Sequence, residues 1–353
     1  MASSTLPTIE DVARAALVSR QTVSNAINSP SIVKPATLER VNRAIAELGY
    51  RPHASARRLR THKSSTIGVR LDPALNGISG AVLDRFLHAL TEQADKRGLR
   101  ILLFTATGPE DEIAQFRRLR DSADVDAFVL TSTFHNDPRT TWLIENGHPF
   151  VTFGRPWGVD DMNNQKHPWV DVDGYSGLHA ATMHHLVNGR SRVAYIGWPS
   201  PSGTGDDRRR GWFDAMHKET GMDTASIEAL ETTAMDSVSN GEAAMVELMS
   251  RPGTIDAVVC ASDSLALGAI LASAGSVPVC GYDNTPTAAA LGFSSVEQPL
   301  EEVAASVLEL ISDACSPPTA KTADGVDGPA RHRLIQPRLV PRDGQWLART
   351  LAP

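Results

Sequence analysis

The sequence predicts an α/β protein: an N-terminal helix-turn-helix head followed by two doubly wound, parallel-sheet α/β regions. Three observations lead there. Residues 9–28, IEDVARAALVSRQTVSNAIN, carry the apolar spacing of two short helices crossing at a turn. From Ile67 onward, strand-like and helix-like stretches alternate for most of the remaining chain. The charge also divides: residues 1–63 hold ten Lys/Arg against four Asp/Glu (+6), and the rest holds 24 against 37 (−13).

In the head, Val12, Ala13 and Ala16 form the inner face of the first helix. Val18 plugs the turn, and Val23, Ala26 and Ile27 form the inner face of the second. Ala13 is small enough for two helices to cross closely. Ser19 stands where an N-cap belongs, its hydroxyl placed to accept from the first amides of the second helix. That helix presents Arg20, Gln21, Thr22, Ser24 and Asn25 outward, side chains that hydrogen-bond base edges or phosphates. A plain helical hairpin is the alternative reading of these residues. Pro35 suits the first turn of a third helix running to about Leu48, with Leu38, Val41, Ile45 and Leu48 as its apolar stripe. Gly49 ends it, and Arg51-Pro52 imposes an extended step. The head therefore occupies residues 1–50, and residues 51–64 form a basic segment with one large apolar residue, Leu59. Alone, that segment is too short to hold a helix in water and reads as a linker.

In the body (65–343), strands are predicted at 67–71, 101–105, 127–131, 149–153, 193–197, 257–261 and 277–281, with a late one at 333–340. Helices are predicted at about 80–97, 110–120, 174–188, 208–220, 240–250, 264–274 and 300–314, with a loop at 317–330. In such sheets, ligands bind at the carboxyl ends of the strands.

Composition narrows the class. The hydrophobic fraction of 41% is that of an ordinary globular chain, and no apolar run approaches the roughly 20 residues of a membrane span. Three cysteines without metal-ligand spacing, and no signal-like leader, fit reduced thiols in a cytoplasmic protein. A basic head on an acidic body suits a nucleic-acid reader joined to a domain that does not itself adhere to DNA. No metal or cofactor motif stands out. The glycines of GTGDDRRRG (203–211) lack dinucleotide-binding spacing, no phosphate-binding G-x-x-x-x-G-K occurs, and His184-His185 has no helical partner one turn on.

Three blocks in the head, TIEDVARAALVSRQTVSNAIN, ATLERVNRAIAELGYRP and ASARRLR, resemble the LacI/GalR family of bacterial transcription repressors. Weaker blocks follow in the body: VDVDG (170–174), RRRGW (208–212), ASDSLALGAI (261–270) and VCGYDNT (279–285). The resemblance implies a body of periplasmic-binding-protein type. One subdomain would hold about 64–188 and 298–328, the other about 189–295 and 329–343, with an effector between them. It places Arg20, Gln21 and Asn25 at base-reading positions and Thr22 and Ser24 against phosphate. Residues 53–61 become a hinge that is helical on the operator, with Leu59 as a minor-groove wedge and Arg57, Arg58 and Arg60 beside the DNA.

In the body the resemblance puts Asp173, Arg208 and Asp283 at effector-contacting positions, with Gln298 at the last crossover. Arg155, Trp157 and Trp198 lie in loops after strands, where an aromatic face can stack on a sugar ring. For the two carboxylates, helix capping or a surface ion pair is the competing reading; for a loop tryptophan it is cover for a core edge. Two departures from the family pattern stand out. Leu17 occupies a turn position that prefers glycine, and Lys34 stands where the third helix usually has a serine cap. The function implied is a dimeric repressor on a pseudo-palindromic operator, released by a small sugar and not an enzyme. The short tail after Arg342 favours a dimer over a tetramer. A purine-like co-repressor, or a sugar-transforming enzyme fused to the head, are the alternatives.

Overall fold

A computed structural model describes residues 7–50, 64–71, 80–157, 162–164, 166–315 and 331–342. Arg57, Leu59 and the rest of the expected hinge helix lie outside the described residues. The chain divides into two compact units, residues 1–64 and 65–353.

The first unit contains α1 (Ile9–Ala15), α2 (Arg20–Asn28), a 3-10 turn (Pro30–Ile32) and α3 (Pro35–Leu48). Of the apolar set the periodicity predicts, Val12, Ala13, Ala16, Val23, Ala26 and Val41 are buried, and Val18, Ile27, Leu38, Ile45 and Leu48 pack partly buried around them; Ala44 and Tyr50, outside the predicted set, complete the core. Thr8 and Asp11 form a capping box at α1, and Ser19 Oγ accepts from Thr22 N at 3.1 Å at α2. Leu17 adopts the left-handed region (φ 54°) and is 84% exposed, so its side chain gains nothing from packing to offset the backbone cost. Lys34 flanks α3 without any side-chain cap. Leu17→Gly is expected to stabilise the head by about 0.5–1 kcal/mol, the left-handed penalty less glycine's extra chain entropy. Lys34→Ser adds about 1 kcal/mol by supplying a cap. Amide-exchange protection in α1–α3 measures both.

The second unit holds two six-stranded sheets. In chain order its elements are β1 (Thr66–Arg70), α4 (Gly80–Lys96), β2 (Arg100–Phe104), α5 (Pro109–Asp121), β3 (Ala127–Leu130), α6 (Pro138–Glu145), β4 (Phe150–Phe153) and β5 (Trp169–Val172). Next come α7 (Gly174–Val187), β6 (Val193–Gly197), α8 (Gly203–Thr220), α9 (Thr224–Glu228), β7 (Glu231–Thr233), α10 (Val238–Ser250), β8 (Ala257–Cys260) and α11 (Asp263–Ala272). The last are β9 (Val279–Tyr282), α12 (Pro286–Leu291), β10 (Ser294–Glu297), α13 (Leu300–Ala314), β11 (His332–Ile335) and β12 (Arg338–Val340). The first sheet runs β11-β5-β4-β3-β1-β2 and is parallel throughout. The second runs β12-β10-β9-β8-β6-β7, parallel except for the antiparallel edge strand β12.

Three differences from the expected layout matter. The first crossover comes before α7, not after it: α7 packs on α8, and its Leu178 and Ala181 belong to the core of the second sheet. The late segment is two strands rather than one. β11 joins the first sheet and β12 the second, because Pro337 lacks an N–H and interrupts the ladder as the chain changes sheet. One half is therefore built on β1–β5 with α13 and β11, and the other on α7–β10 with β12. Finally, α8 starts at Gly203, five residues earlier than expected, because Ser202 Oγ caps it through Gly205 N.

Candidate functional site: a cleft at the strand ends and an exposed helix face

On α2, Arg20, Gln21, Ser24 and Asn25 share the face opposite Val23 and Ala26, as the helical repeat requires. Gln21 Nε2 donates to Asn25 Oδ1 at 2.9 Å, which holds two amide side chains side by side. The Arg20 guanidinium is exposed and 3.5 Å from Glu10. Thr22 stands apart from this face: its Oγ1 is 2.9 Å from Ser19 Oγ, at the helix start where backbone amides favour a phosphate.

The cleft of the second unit has a volume of about 460 Å³ and opens at the carboxyl ends of the strands of both sheets. From the first half it is lined by Leu71, Val82, Leu83 and Leu87, by Thr131–Thr133 after β3, by Phe153 at the end of β4 and Gly154 after it, and by Asp171 on β5. From the second half come Trp198 after β6, Thr204 and Arg208 on α8, Asp283 after β9, and Gln298 after β10.

Arg208 is positioned from below. Gly211 lies against the carbonyl of Tyr175, where an added Cβ would be 2.1 Å from that oxygen. Trp212 is fully buried, with Nε1 donating to Val193 O at 2.9 Å. The RRRGW block thus locks α8 onto α7 and the sheet, and one turn earlier Arg208 projects into the cleft. Its guanidinium lies 3.6 Å from the Tyr282 ring centroid and 5.0 Å from that of Trp198, while Nη1 donates to Ala261 O at 2.5 Å. Nη2 is 4.0 Å from Asp283 Oδ1.

Asp283 also accepts from Gln298 Nε2 at 2.7 Å. Its backbone φ of 107° and the φ of 44° at Asn284 place two successive non-glycine residues in the left-handed half of conformational space. Strain of this kind collects where a side chain must be aimed. Burial pushes the Asp283 carboxyl up to about 8, with the Arg208 charge opposing. Arg208 Nε, Trp198 Nε1 and Tyr282 Oη are buried without a hydrogen-bond partner among the described residues, so the site holds polar groups in excess of its pairings there.

The other expected residues sit elsewhere. Asp173 caps α7, accepting from Ser176 N at 3.0 Å and Gln336 Nε2 at 3.2 Å, and is not among the residues lining the cleft. The carboxylate facing the cleft in VDVDG is Asp171, two residues earlier. Every residue of β5 is buried, so a carboxylate within that run demands a partner, which is the signal that marks it. Asp171 Oδ2 accepts from Arg155 Nε at 2.7 Å, and its pKa is raised by burial. Arg155 and Trp157 are drawn against the second half rather than into the cleft. The Thr131–Thr133 loop is braced by a buried arginine that sequence reading does not single out: Arg139 binds Glu112 and Asp137 and donates to the carbonyls of Thr131 and Ser132 at 3.2 and 3.1 Å.

Among the described residues no cluster of three or more His, Cys, Asp or Glu is arranged to hold a metal, and no helix is long and apolar enough to cross a membrane. Comparison with known proteins gives a consistent assignment. Residues 8–53 match the model of bacterial regulatory proteins of the lacI family. Residues 83–300 match that of periplasmic binding proteins and the sugar binding domain of the LacI family. The HTH-type transcriptional regulator CelR of Thermobifida fusca is 34% identical over 323 residues, covering 87% of this chain and 91% of CelR. A solved complex of transcriptional regulator CelR with cellobiose superposes with a TM-score of 0.67 at 28% identity, covering 96% of this chain and 99% of that one. The lac repressor dimer bound to operator and the anti-inducer ONPF shares the fold, with a TM-score of 0.75 at 21% identity over 96% of this chain and 99% of that one.

Proposed function

Because this chain belongs to the LacI family of DNA-binding transcriptional regulators, we propose that it is a dimeric repressor released from its operator by a small sugar bound in the 460 Å³ cleft. The observation that carries the sugar is the convergence of Arg208, Asp283, Gln298 and the Trp198 ring in one cleft at the strand ends. A guanidinium, a carboxyl and an amide supply the mixed donors and acceptors that vicinal hydroxyls need, and an indole suits the apolar face of a pyranose. The complex of CelR with cellobiose makes a gluco-disaccharide the first effector to test.

In this reading Arg20, Gln21 and Asn25 read bases, Thr22 and Ser24 hold phosphate, and Arg57 and Leu59 engage the minor groove. Two heads related by a two-fold axis meet a pseudo-palindrome. Sugar stabilises one arrangement of the halves and operator the other, so each weakens the other by the same factor, typically about 5- to 150-fold.

The Asp283 carboxyl gives the test a pH signature. Its folded-state pKa of about 8 lies above the ordinary value of 3.8, so the folded protein holds more protons than the unfolded chain between those values. Its contribution to stability is present below about pH 4 and is lost as pH rises toward 8. Asp283→Asn, which keeps an acceptor for Gln298, flattens that slope in thermal unfolding. Sugar hydroxyls that donate to Asp283 favour the ionised carboxylate. Cellobiose affinity should therefore rise between pH 6 and 8, by at most about tenfold per unit, with a proton released to buffer. Calorimetry in buffers of different ionisation enthalpy measures both. A pH-independent affinity, or no binding of any mono- or disaccharide, contradicts the assignment.

A further inference from the structure

The loop after β4 carries Arg155 and Trp157, whose guanidinium and indole stack at 4.5 Å. Within its own half Arg155 Nε holds Asp171; across the cleft its Nη2 donates to Asp207 of α8 at 2.5 Å. Trp157 reaches the same helix. It is buried against Gly203, where an added Cβ would lie 2.1 Å from the indole. Residues 203 and 207 are one helical turn apart and form one face of α8, while 204 and 208, also one turn apart, face the cleft. The face that docks the loop and the face that meets the cleft are thus neighbours on the first two turns of one rigid helix.

We propose that the Arg155–Trp157 loop is a clasp between the two halves, and that Arg155 is a positioning residue that sets how closely α8 approaches the first half. Its influence on effector affinity, which rests on the reading of the cleft as the effector site, runs through the placement of Arg208 and Thr204. The ion pair is nearly dry, with Arg155 and Asp207 side chains 12% and 2% exposed, so little salt screening reaches it. Asp207 also accepts from Tyr175 N and from Arg210, so it is held in place from its own half while Arg155 arrives from the other.

The test uses the full chain without effector, by hydrogen-exchange mass spectrometry, followed by titration with cellobiose. Asp207→Asn keeps an acceptor for Tyr175 N but loses the charge. It should raise exchange in the 153–157 loop of the opposite half as well as at the start of α8. Gly203→Ala, which adds a methyl against Trp157 without touching any charge and favours the helix, should do the same. Arg155→Gln and Asp207→Asn should each weaken cellobiose binding about five- to tenfold, and the double variant no further, as for two members of one interaction. Exchange changes confined to α8, or single losses that multiply in the double variant, overturn the clasp. If the parent chain binds no cellobiose, the effector reading fails, and the exchange result alone decides the clasp.

Discussion

Arg208→Ala should lower effector affinity by about two orders of magnitude while leaving operator affinity in the absence of effector within about threefold. The guanidinium packs on the rings of Tyr282 and Trp198, and its Nη2 lies 4.0 Å from the Asp283 carboxyl. Losing a hydrogen bond from a charged donor costs about 1.5–3 kcal/mol, and removing the cation also acts on the carboxyl group left behind. Here that group is Asp283, whose carboxyl rises further once the guanidinium that opposes its protonation is gone. Arg208→Lys should recover only part of the loss, since an ammonium cannot bind two acceptors in a plane and stack on aromatic faces at once. Quenching of tryptophan fluorescence on titration reads the affinity, with Trp198 lining the cleft. An affinity within threefold of the parent would remove Arg208 from the effector site.

Arg20→Ala should weaken operator binding on the order of a hundredfold. A bidentate arginine–guanine contact gives roughly 1–3 kcal/mol of discrimination, and the proposed two-fold dimer would present the residue twice. The side chain is exposed, 3.5 Å from Glu10, and lies outside the head's core, so its removal leaves that core intact. The loss should be specific, shrinking the ratio of operator to random-sequence binding. Thr22→Ala, at a position suited to phosphate, should weaken both kinds of binding together. Fluorescence anisotropy on operator and scrambled duplexes separates the two cases. Parallel losses for Arg20→Ala on both duplexes would make it a phosphate contact.

What the sequence reveals about this molecule follows the range of the interactions involved. The head is readable almost completely because its determinants are local. The Ser19 cap, the apolar spacing and the strained Leu17 all act within a few residues. Arg208, Asp283 and Gln298 are readable from the family resemblance; Asp283 and Gln298 also follow strands, where α/β sheets place their ligand groups, and all three line the cleft. What the sequence leaves unread comes from pairings distant along the chain. Arg155 finds Asp171 and Asp207, 16 and 52 residues away, and nothing near it in sequence distinguishes a clasp from a binding-loop arginine. Asp173 and Asp171 differ only in which lies within the strand and which caps the following helix, a boundary that periodicity leaves loose by a residue or two. The short helices α6 and α12 have too few turns to show an apolar stripe.

The central claim is that a sugar in the cleft controls the grip of the head on DNA. Operator affinity measured across a panel of mono- and disaccharides, with hypoxanthine and guanine alongside, tests it most directly. The expected result is that at least one saccharide, with cellobiose first in line, weakens operator binding by about 5- to 150-fold, and that Arg208→Ala removes the effect. A panel in which no saccharide changes operator affinity, while a purine strengthens it, would contradict the claim.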